Sequence, residues 1–325
     1  MQAKNLFRLG IDLGGTKLES ALLDGQNQLV WRERLPTPAG DYSATLAALA
    51  ASVQRARTQM SRLTPKGEMT VGIGTPGTQM ADGRMKNCNS TCLNGQKLQA
   101  DLEDALGQAV RLANDANCLA LSEATDGAGA GAPVVFAAIL GTGTGAGIAV
   151  HGRVLSGPNG LAGEWGHNPL PWCQPNQEPD FSCYCGQRQC IESLVSGPGL
   201  ARDHATQHGG SLSAAQIHQL ALAGDAACRL TLDRHAHRLA RALASVINLL
   251  DPDVIVLGGG LSAMAHLYQQ VPLLWSQWVF SAGAGEAVRT RLLPALHGDA
   301  SGVRGAAWLW REVAASRQTR NNLSV

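Results

Sequence analysis

Two rhythms of apolar residues alternate along this 325-residue chain. Short apolar runs bounded by glycine or polar clusters mark strands: "LFRLGID" at Leu6–Asp12, "LESALLD" directly after it, and "NQLVWRERLPT" third. Their close spacing predicts a β-meander. Longer stretches with apolar residues at helical spacing mark helices: "DYSATLAALAASVQRARTQM", "ANCLALSEATDGA", "LTLDRHAHRLARALASVINLL" and "RGAAWLWREVAA". The first opens on Asp-Tyr-Ser, a helix start signal. Further strands are predicted at "EMTVGIGTPG", "AVRLAND" and "DPDVIVLGGGLS". Strands alternating with long helices place the chain in the α/β class.

A layout occurs twice. "FRLGIDLGGTKLESALLD" is strand, Gly/Thr turn, strand, and "VVFAAILGTGTGAGIAVHGRVL" repeats that order later in the chain. The repetition predicts a duplicated fold with two lobes. Between Gly157 and Gly210 the sequence is rich in Gly, Pro, Cys and His and reads as loops around a site, while the polar tail from Ser316 reads as frayed.

Three Gly-rich turns follow strands: Gly14–Thr16, Gly141–Gly145 and Gly258–Gly260. Glycine lets backbone amides approach a phosphate closely, and threonine adds a hydroxyl donor. None of the turns is a Walker loop. "GTGTGAG" is followed by "IAVHGRV", a strand pattern rather than a helix, which excludes a dinucleotide fingerprint. A phosphate loop between antiparallel strands, present in both lobes, is the arrangement of the actin-like ATPase and sugar kinase superfamily.

Composition removes other classes. Lysine plus arginine (26) nearly balances aspartate plus glutamate (25), so no basic excess recommends nucleic acid. No apolar run approaches the roughly 18 residues of a membrane span, and the first strand begins too near Met1 for a signal peptide. A cytoplasmic location is the expectation. Stable disulfides are rare there, so the 8 cysteines favour metal binding or inert thiols.

Candidate chemistry lies at strand ends. Asn114 and Asp115 sit where "AVRLAND" runs into a helix; both suit a helix N-cap, and a carboxylate there can also take the proton of an attacking hydroxyl. Asp12 meets the first Gly turn, where a carboxylate can hold Mg²⁺ directly or through water. Lys17 follows that turn and reads as a solvated strand residue with phosphate within reach. "CYCGQRQCIE" gives Cys183, Cys185 and Cys190 in CxC-x4-C spacing, which is neither a thioredoxin CxxC nor a paired zinc ribbon. Three thiolates need one more ligand for tetrahedral Zn²⁺, and His167 and Cys173 are the upstream candidates.

"GIDLGGTK", "GTGTGAG", "GEWGH", "CYCGQRQCIE" and "DPDVIVLGGG" together resemble the ROK family of bacterial sugar kinases. "NSTCLNGQ", "GEWGHNPLPW" and "HGDASGVRGAAWLW" look most like its fructokinase (manno-fructokinase) branch. Cys92 and Thr144 depart from that branch, where tryptophan and often cysteine stand.

The resemblance implies a two-lobed duplicated actin-like ATPase (ribonuclease H-like) fold with a ligand cleft between lobes. Residues 1–117 would form the N-terminal α/β lobe. Residues 118–325 would form the C-terminal lobe, with a zinc-binding loop over 164–192 and a last helix packing back on the first lobe. The implied reaction is ATP-dependent phosphorylation of a hexose at its 6-hydroxyl, D-fructose first. Mannose, glucose, N-acetylhexosamines or a sugar-sensing regulator without its DNA-binding domain are the alternatives. Asp115 would be the base. Asn89, Asn114, Glu164, His167 and Glu192 would contact the sugar. Gly14, Gly15, Thr16, Gly141, Thr142 and Gly143 would hold phosphate, Gly258, Gly259 and Gly260 would line the adenosine, and Asp12 would orient Mg²⁺. His167 is the implied fourth zinc ligand, and a homodimer is implied.

Overall fold

A computed structural model describes residues 6–173, 178–281 and 285–311. The chain divides into two compact units. The first comprises residues 1–125, 156–161 and 300–325; the second comprises 126–155 and 162–299.

The first unit opens with β1 (Leu6–Leu13), β2 (Lys17–Leu23) and β3 (Leu29–Pro36), the predicted meander. Helix α1 (Tyr42–Leu63) follows, its N-cap Asp41 accepting the Ala44 N–H. It buries Leu49, Val53, Ala56 and Met60, the apolar positions of its period. Then come β4 (Glu68–Thr75), the short pair β5 (Thr78–Gln79) and β6 (Met85–Lys86), α2 (Leu98–Leu106), β7 (Val110–Asn114) and α3 (Asp115–Thr125). The main sheet has the order β3-β2-β1-β4-β7, antiparallel among the first three and parallel from β1 to β7. Leu9, Ile11, Leu22, Val71 and Ile73 are wholly buried in it.

The second unit repeats the plan with β8 (Val134–Leu140), β9 (Thr144–Val150), β10 (Arg153–Val154), β11 (Val254–Gly258) and β12 (Arg291–Pro294), ordered β10-β9-β8-β11-β12. Its β8–β9 and β9–β10 pairs are antiparallel, and β8–β11 and β11–β12 are parallel. The sheets match strand for strand, so the duplication read from the Gly/Thr turns extends to the parallel strands. Helices α4 (Ile191–Val195), α5 (Gly197–His208), α6 (Ala214–Leu222), α7 (Ala226–Leu250) and α8 (Ala265–Leu274) complete this unit. Helices α4 and α5 correct the expectation of loops through Gly210: Ser196 caps α5 by accepting the Gly199 N–H, with Pro198 in its first turn.

The last helix, α9 (Ser301–Trp308), belongs to the first unit. It lies so close to the sheet that a Cβ on Gly10 or Gly72 would come within 1.9 Å of its carbonyl oxygens. Its Gly305 meets the Cys118 carbonyl of α3 in the same way. This packing holds α3 in the first unit, so the division falls after α3 and not at 117–118, and the final helix is inserted from the end of the chain. No helix among the described residues is long and apolar enough to cross a membrane.

Candidate functional site

In the first unit the β1–β2 turn is closed by Gly14 N–H donating to Lys17 O at 2.9 Å, and Thr37 Oγ1 donates to Gly14 O at 2.8 Å. Neither Gly14 nor Gly15 has positive φ. Glycine serves closeness here: a Cβ on Gly14 would meet Lys17 O at 3.0 Å. Lys17 stands 3.8 Å from Glu19, which is buried and also paired with Arg32 and Arg34. The Lys17 ammonium is therefore drawn along its strand.

Asp12 pairs across the sheet with Glu19. Burial first, then the charges of Asp115 and Glu19, push its pKa up to about 7 against the pull of Lys17. A Cβ on Gly302 of α9 would sit 3.3 Å from Asp12 Oδ2, and one on Gly74 would sit 3.7 Å from Oδ1. Two glycines thus leave room around this carboxylate; sequence reading had singled out neither.

Asn114 and Asp115 keep both roles open to them. Asn114, directly before α3, accepts the Ala116 N–H through Oδ1 at 2.9 Å, as an N-cap does, and Asp115, the first residue of the helix, accepts the same N–H at 2.8 Å. Asn114 Nδ2 donates to Gly77 O at 3.2 Å, fixing its side chain. The charge of Asp115 helps raise the pKa of Asp12, and the two carboxylates stand at the same end of one parallel sheet, Asp12 in β1 and Asp115 directly after β7, with β4 between them. Such a pair can bind a cation and accept a proton. Asn89 is exposed on a loop held by Asn94, whose side chain accepts from Cys88 N–H and donates to Cys88 O. With Gly15, Thr16, Thr37 and Cys92 it lines a cavity of about 280 Å³.

In the second unit, the Gly141–Gly143 turn is closed by Gly141 N–H donating to Gly143 O at 3.0 Å. The next amide, Thr144 N–H, donates to Glu192 Oε2 at 2.8 Å. A Cβ on Gly143 would lie 2.8 Å from that same oxygen, which explains the glycine. Gly259, after β11, has φ of 79° and passes within 2.5 Å, from a built Cβ, of Leu140 O, so only glycine fits there.

"GEWGH" folds onto β9. A Cβ on Gly163 or Gly166 would strike the Ala146 or Thr144 carbonyl at about 2 Å, and Trp165 is buried edge-on against Phe136 at 5.4 Å. This packing presents Glu164 and His167 on either side of the tryptophan. His167 Nδ1 is 3.6 Å from Cys183 Sγ, and Cys185 Sγ is 3.6 Å from Cys190 Sγ. The four ligand atoms lie within 4.8 Å of one another.

Tetrahedral zinc with Zn–S near 2.3 Å needs ligand separations of about 3.8 Å, so the donor set fits that ion. A backbone hydrogen bond from Gln187 holds the Cys185 thiol below its ordinary pKa, favouring the ligating thiolate. Cys173 is not in the cluster; its thiol donates to Leu170 O at 3.2 Å. The second ring nitrogen of His167 is engaged: Nε2 lies 3.1 Å from the Tyr184 hydroxyl.

The model of the ROK family matches residues 8–313. The chain belongs to the ROK family. An N-acetyl-D-glucosamine kinase of Photobacterium profundum is 39% identical over 305 residues, covering 92% of this chain and 98% of the relative. An N-acetylgalactosamine kinase of Shewanella sp. strain ANA-3 is 38% identical over 303 residues, covering 92% and 95%. The crystal structure of a ROK hexokinase from Thermus thermophilus superposes with a TM-score of 0.80 at 30% identity, covering 95% of this chain and 99% of that one. This ROK protein is a sugar kinase, with ATP and Mg²⁺ the co-substrate and cation of that class. The fructokinase branch expected from the sequence is not the one its curated relatives are named for.

Proposed function

We propose that this ROK kinase transfers the γ-phosphoryl group of ATP to the 6-hydroxyl of an N-acetylhexosamine, with N-acetyl-D-glucosamine first in the series. The observation that carries the substrate class is the naming of relatives matched along nearly the whole of both chains. The chemistry rests on the carboxylates of Asp12 and Asp115, which stand at one end of the first unit's parallel strands. Asp115 takes the proton as the 6-oxygen attacks the γ-phosphorus, and the bond to the β–γ bridging oxygen breaks to release ADP. Asn114 orients the acceptor. Asp12 would hold Mg²⁺, which would supply charge neutralisation at the phosphates.

The amides of Gly14–Thr16 and Gly141–Gly143 bind phosphate oxygens, and Gly258–Gly260 lines the adenosine. Asn89, Glu164, His167 and Glu192 hold sugar hydroxyls, since carboxylate and imidazole acceptors suit neighbouring hydroxyl donors. Zinc at His167, Cys183, Cys185 and Cys190 would fix the loops carrying those residues, as a closed four-ligand site does.

A coupled ADP-release assay over N-acetylglucosamine, N-acetylgalactosamine, N-acetylmannosamine, glucose, mannose and fructose tests the reading. The highest kcat/KM is expected on an N-acetylhexosamine. A clear preference for fructose would restore the fructokinase reading, and turnover of none would end the proposal.

A further inference from the structure

Between the first two cysteines of the metal-ligand cluster stands Tyr184, 83% exposed. An exposed phenol has water available on every side. This one instead turns back on its own loop. Its hydroxyl lies 3.1 Å from His167 Nε2, and the two rings meet edge to face with centroids 5.2 Å apart. His167 Nδ1 faces Cys183, so the tyrosine occupies the only ring nitrogen left for another partner. The phenol is also within electrostatic reach of Glu192 and Glu164. A side chain assigned above to a sugar hydroxyl, His167, is therefore already paired with a hydroxyl that the chain itself supplies.

A phenol O–H and an alcohol O–H offer the same donor and acceptor. We infer that Tyr184 is an affinity-setting residue of the sugar site: its hydroxyl occupies the place on His167 that a ring hydroxyl of the substrate takes, and sugar binding displaces it. The inference rests on the proposed sugar role of His167. Each sugar must then replace a hydrogen bond already made, so its apparent affinity is lowered by the fraction of molecules in which Tyr184 is turned in. Only a sugar with a hydroxyl placed to bond Nε2 regains that cost, which makes the tyrosine a filter against poorly fitting sugars. No metal chemistry enters the argument; the ligand cluster only fixes the ring.

The test is Tyr184→Phe and Tyr184→Gly, each with zinc content measured. Sugar affinity is read by calorimetry without nucleotide and by KM in the coupled assay. For Tyr184→Phe, sugar Kd and KM are expected to fall about three- to tenfold, the worth of one released hydrogen bond, with KM for ATP unmoved. Tyr184→Gly is expected to bind sugar at least as tightly as the natural protein. Unchanged or weaker sugar binding by the Phe variant overturns the inference. So does a loss of binding confined to the Gly variant, which would make the ring a platform for the sugar. Wild-type protein that binds and phosphorylates an N-acetylhexosamine while the Phe variant is unchanged refutes only this inference. Wild-type protein that binds none refutes both readings.

Discussion

Glu192 accepts the backbone N–H of Thr144 at 2.8 Å, tying the glutamate that ends the cysteine cluster to the Gly141–Gly143 turn. The proposed sugar contact and the proposed phosphate turn therefore share one carboxylate. Its Oε2 serves the turn, and Oε1 lies 4.0 Å from Cys183 Sγ. Removing the side chain leaves the Thr144 amide without its charged partner, a loss worth roughly 1.5–3 kcal/mol. Glu192→Ala should raise KM for ATP as well as for the sugar, each about tenfold or more. Glu192→Gln keeps an acceptor for Thr144, so KM for ATP should stay within about twofold while KM for the sugar rises. Two-substrate initial rates separate the cases. An Ala variant with normal KM for ATP would show that the turn does not depend on this contact.

Asp115 opens α3, accepts the Ala116 N–H, and through its charge helps raise the pKa of Asp12. Asparagine keeps an acceptor for that N–H but cannot take a proton. Asp115→Asn should therefore leave stability near wild type and lower kcat by about 10²- to 10⁴-fold, with calorimetric sugar Kd within a few-fold. Near-normal turnover at unchanged sugar affinity would remove the base assignment.

His167, Cys183, Cys185 and Cys190 present four ligand atoms at metal spacing. Protein purified without chelator should contain about one zinc per chain by elemental analysis. Cys185→Ser should lose most of it. Because ligand loss frees the loop carrying Glu164 and His167, sugar KM should rise about tenfold or more in that variant. A metal content well below one per chain in untreated protein would argue that the four residues do not form a site.

How much of this was legible in the sequence differs by element. The meander β1–β3 and the repeat at β8–β9 are local patterns, and period and turn residues suffice to mark them. The cysteine cluster was equally local, since CxC-x4-C leaves few geometries. The start of α5 was masked by Gly197, Pro198 and Gly199, which read as loop until Ser196 is seen to cap them. The place of α9 in the first unit follows from the family resemblance and not from local reading. It depends on Gly10, Gly72 and Gly305 giving backbone room to an element hundreds of residues away, and a glycine in a strand does not announce its neighbour. The Tyr184–His167 contact was missed for another reason: a tyrosine between two cysteines has no periodicity to place it. The buried ion network of Glu178 with Arg238 and Arg241, and of Arg238 with Asp203, likewise pairs charges from distant segments.

Those glycines give a stability prediction. A Cβ on Gly72 would lie 1.9 Å from Ala306 O, a backbone atom that cannot rotate away. Gly72→Ala should push α9 off the sheet and cost about 2–3 kcal/mol or more by denaturant unfolding. Gly260→Ala, where a Cβ meets nothing within 4 Å, should stay within about 1 kcal/mol of wild type. Equal stability of the two variants would show that α9 does not pack on β4 as described.

His235 gives the pH dependence. It is wholly buried on α7, and its Nε2–H donates to Val195 O at 2.9 Å while Nδ1 has no partner among the described residues. Burial pulls its pKa from 6.5 down to about 4, with His266 and Arg238 adding to the fall and the Val195 carbonyl and Asp203 opposing it. The folded protein thus keeps a neutral ring where the unfolded chain takes up a proton. Its contribution is fully present above about pH 6.5 and is lost as pH falls from 6.5 toward 4, at about 1.4 kcal/mol per pH unit. Burial also lowers the pKa of His266 and His204, which act in the same direction. His235→Gln keeps a donor for Val195 O without a titrating group. Urea unfolding at pH 7, 5.5 and 4.5 should show the natural protein losing stability faster than this variant, the gap between them closing as pH falls. Parallel pH profiles for the two proteins would mean that His235 is not held neutral by the fold.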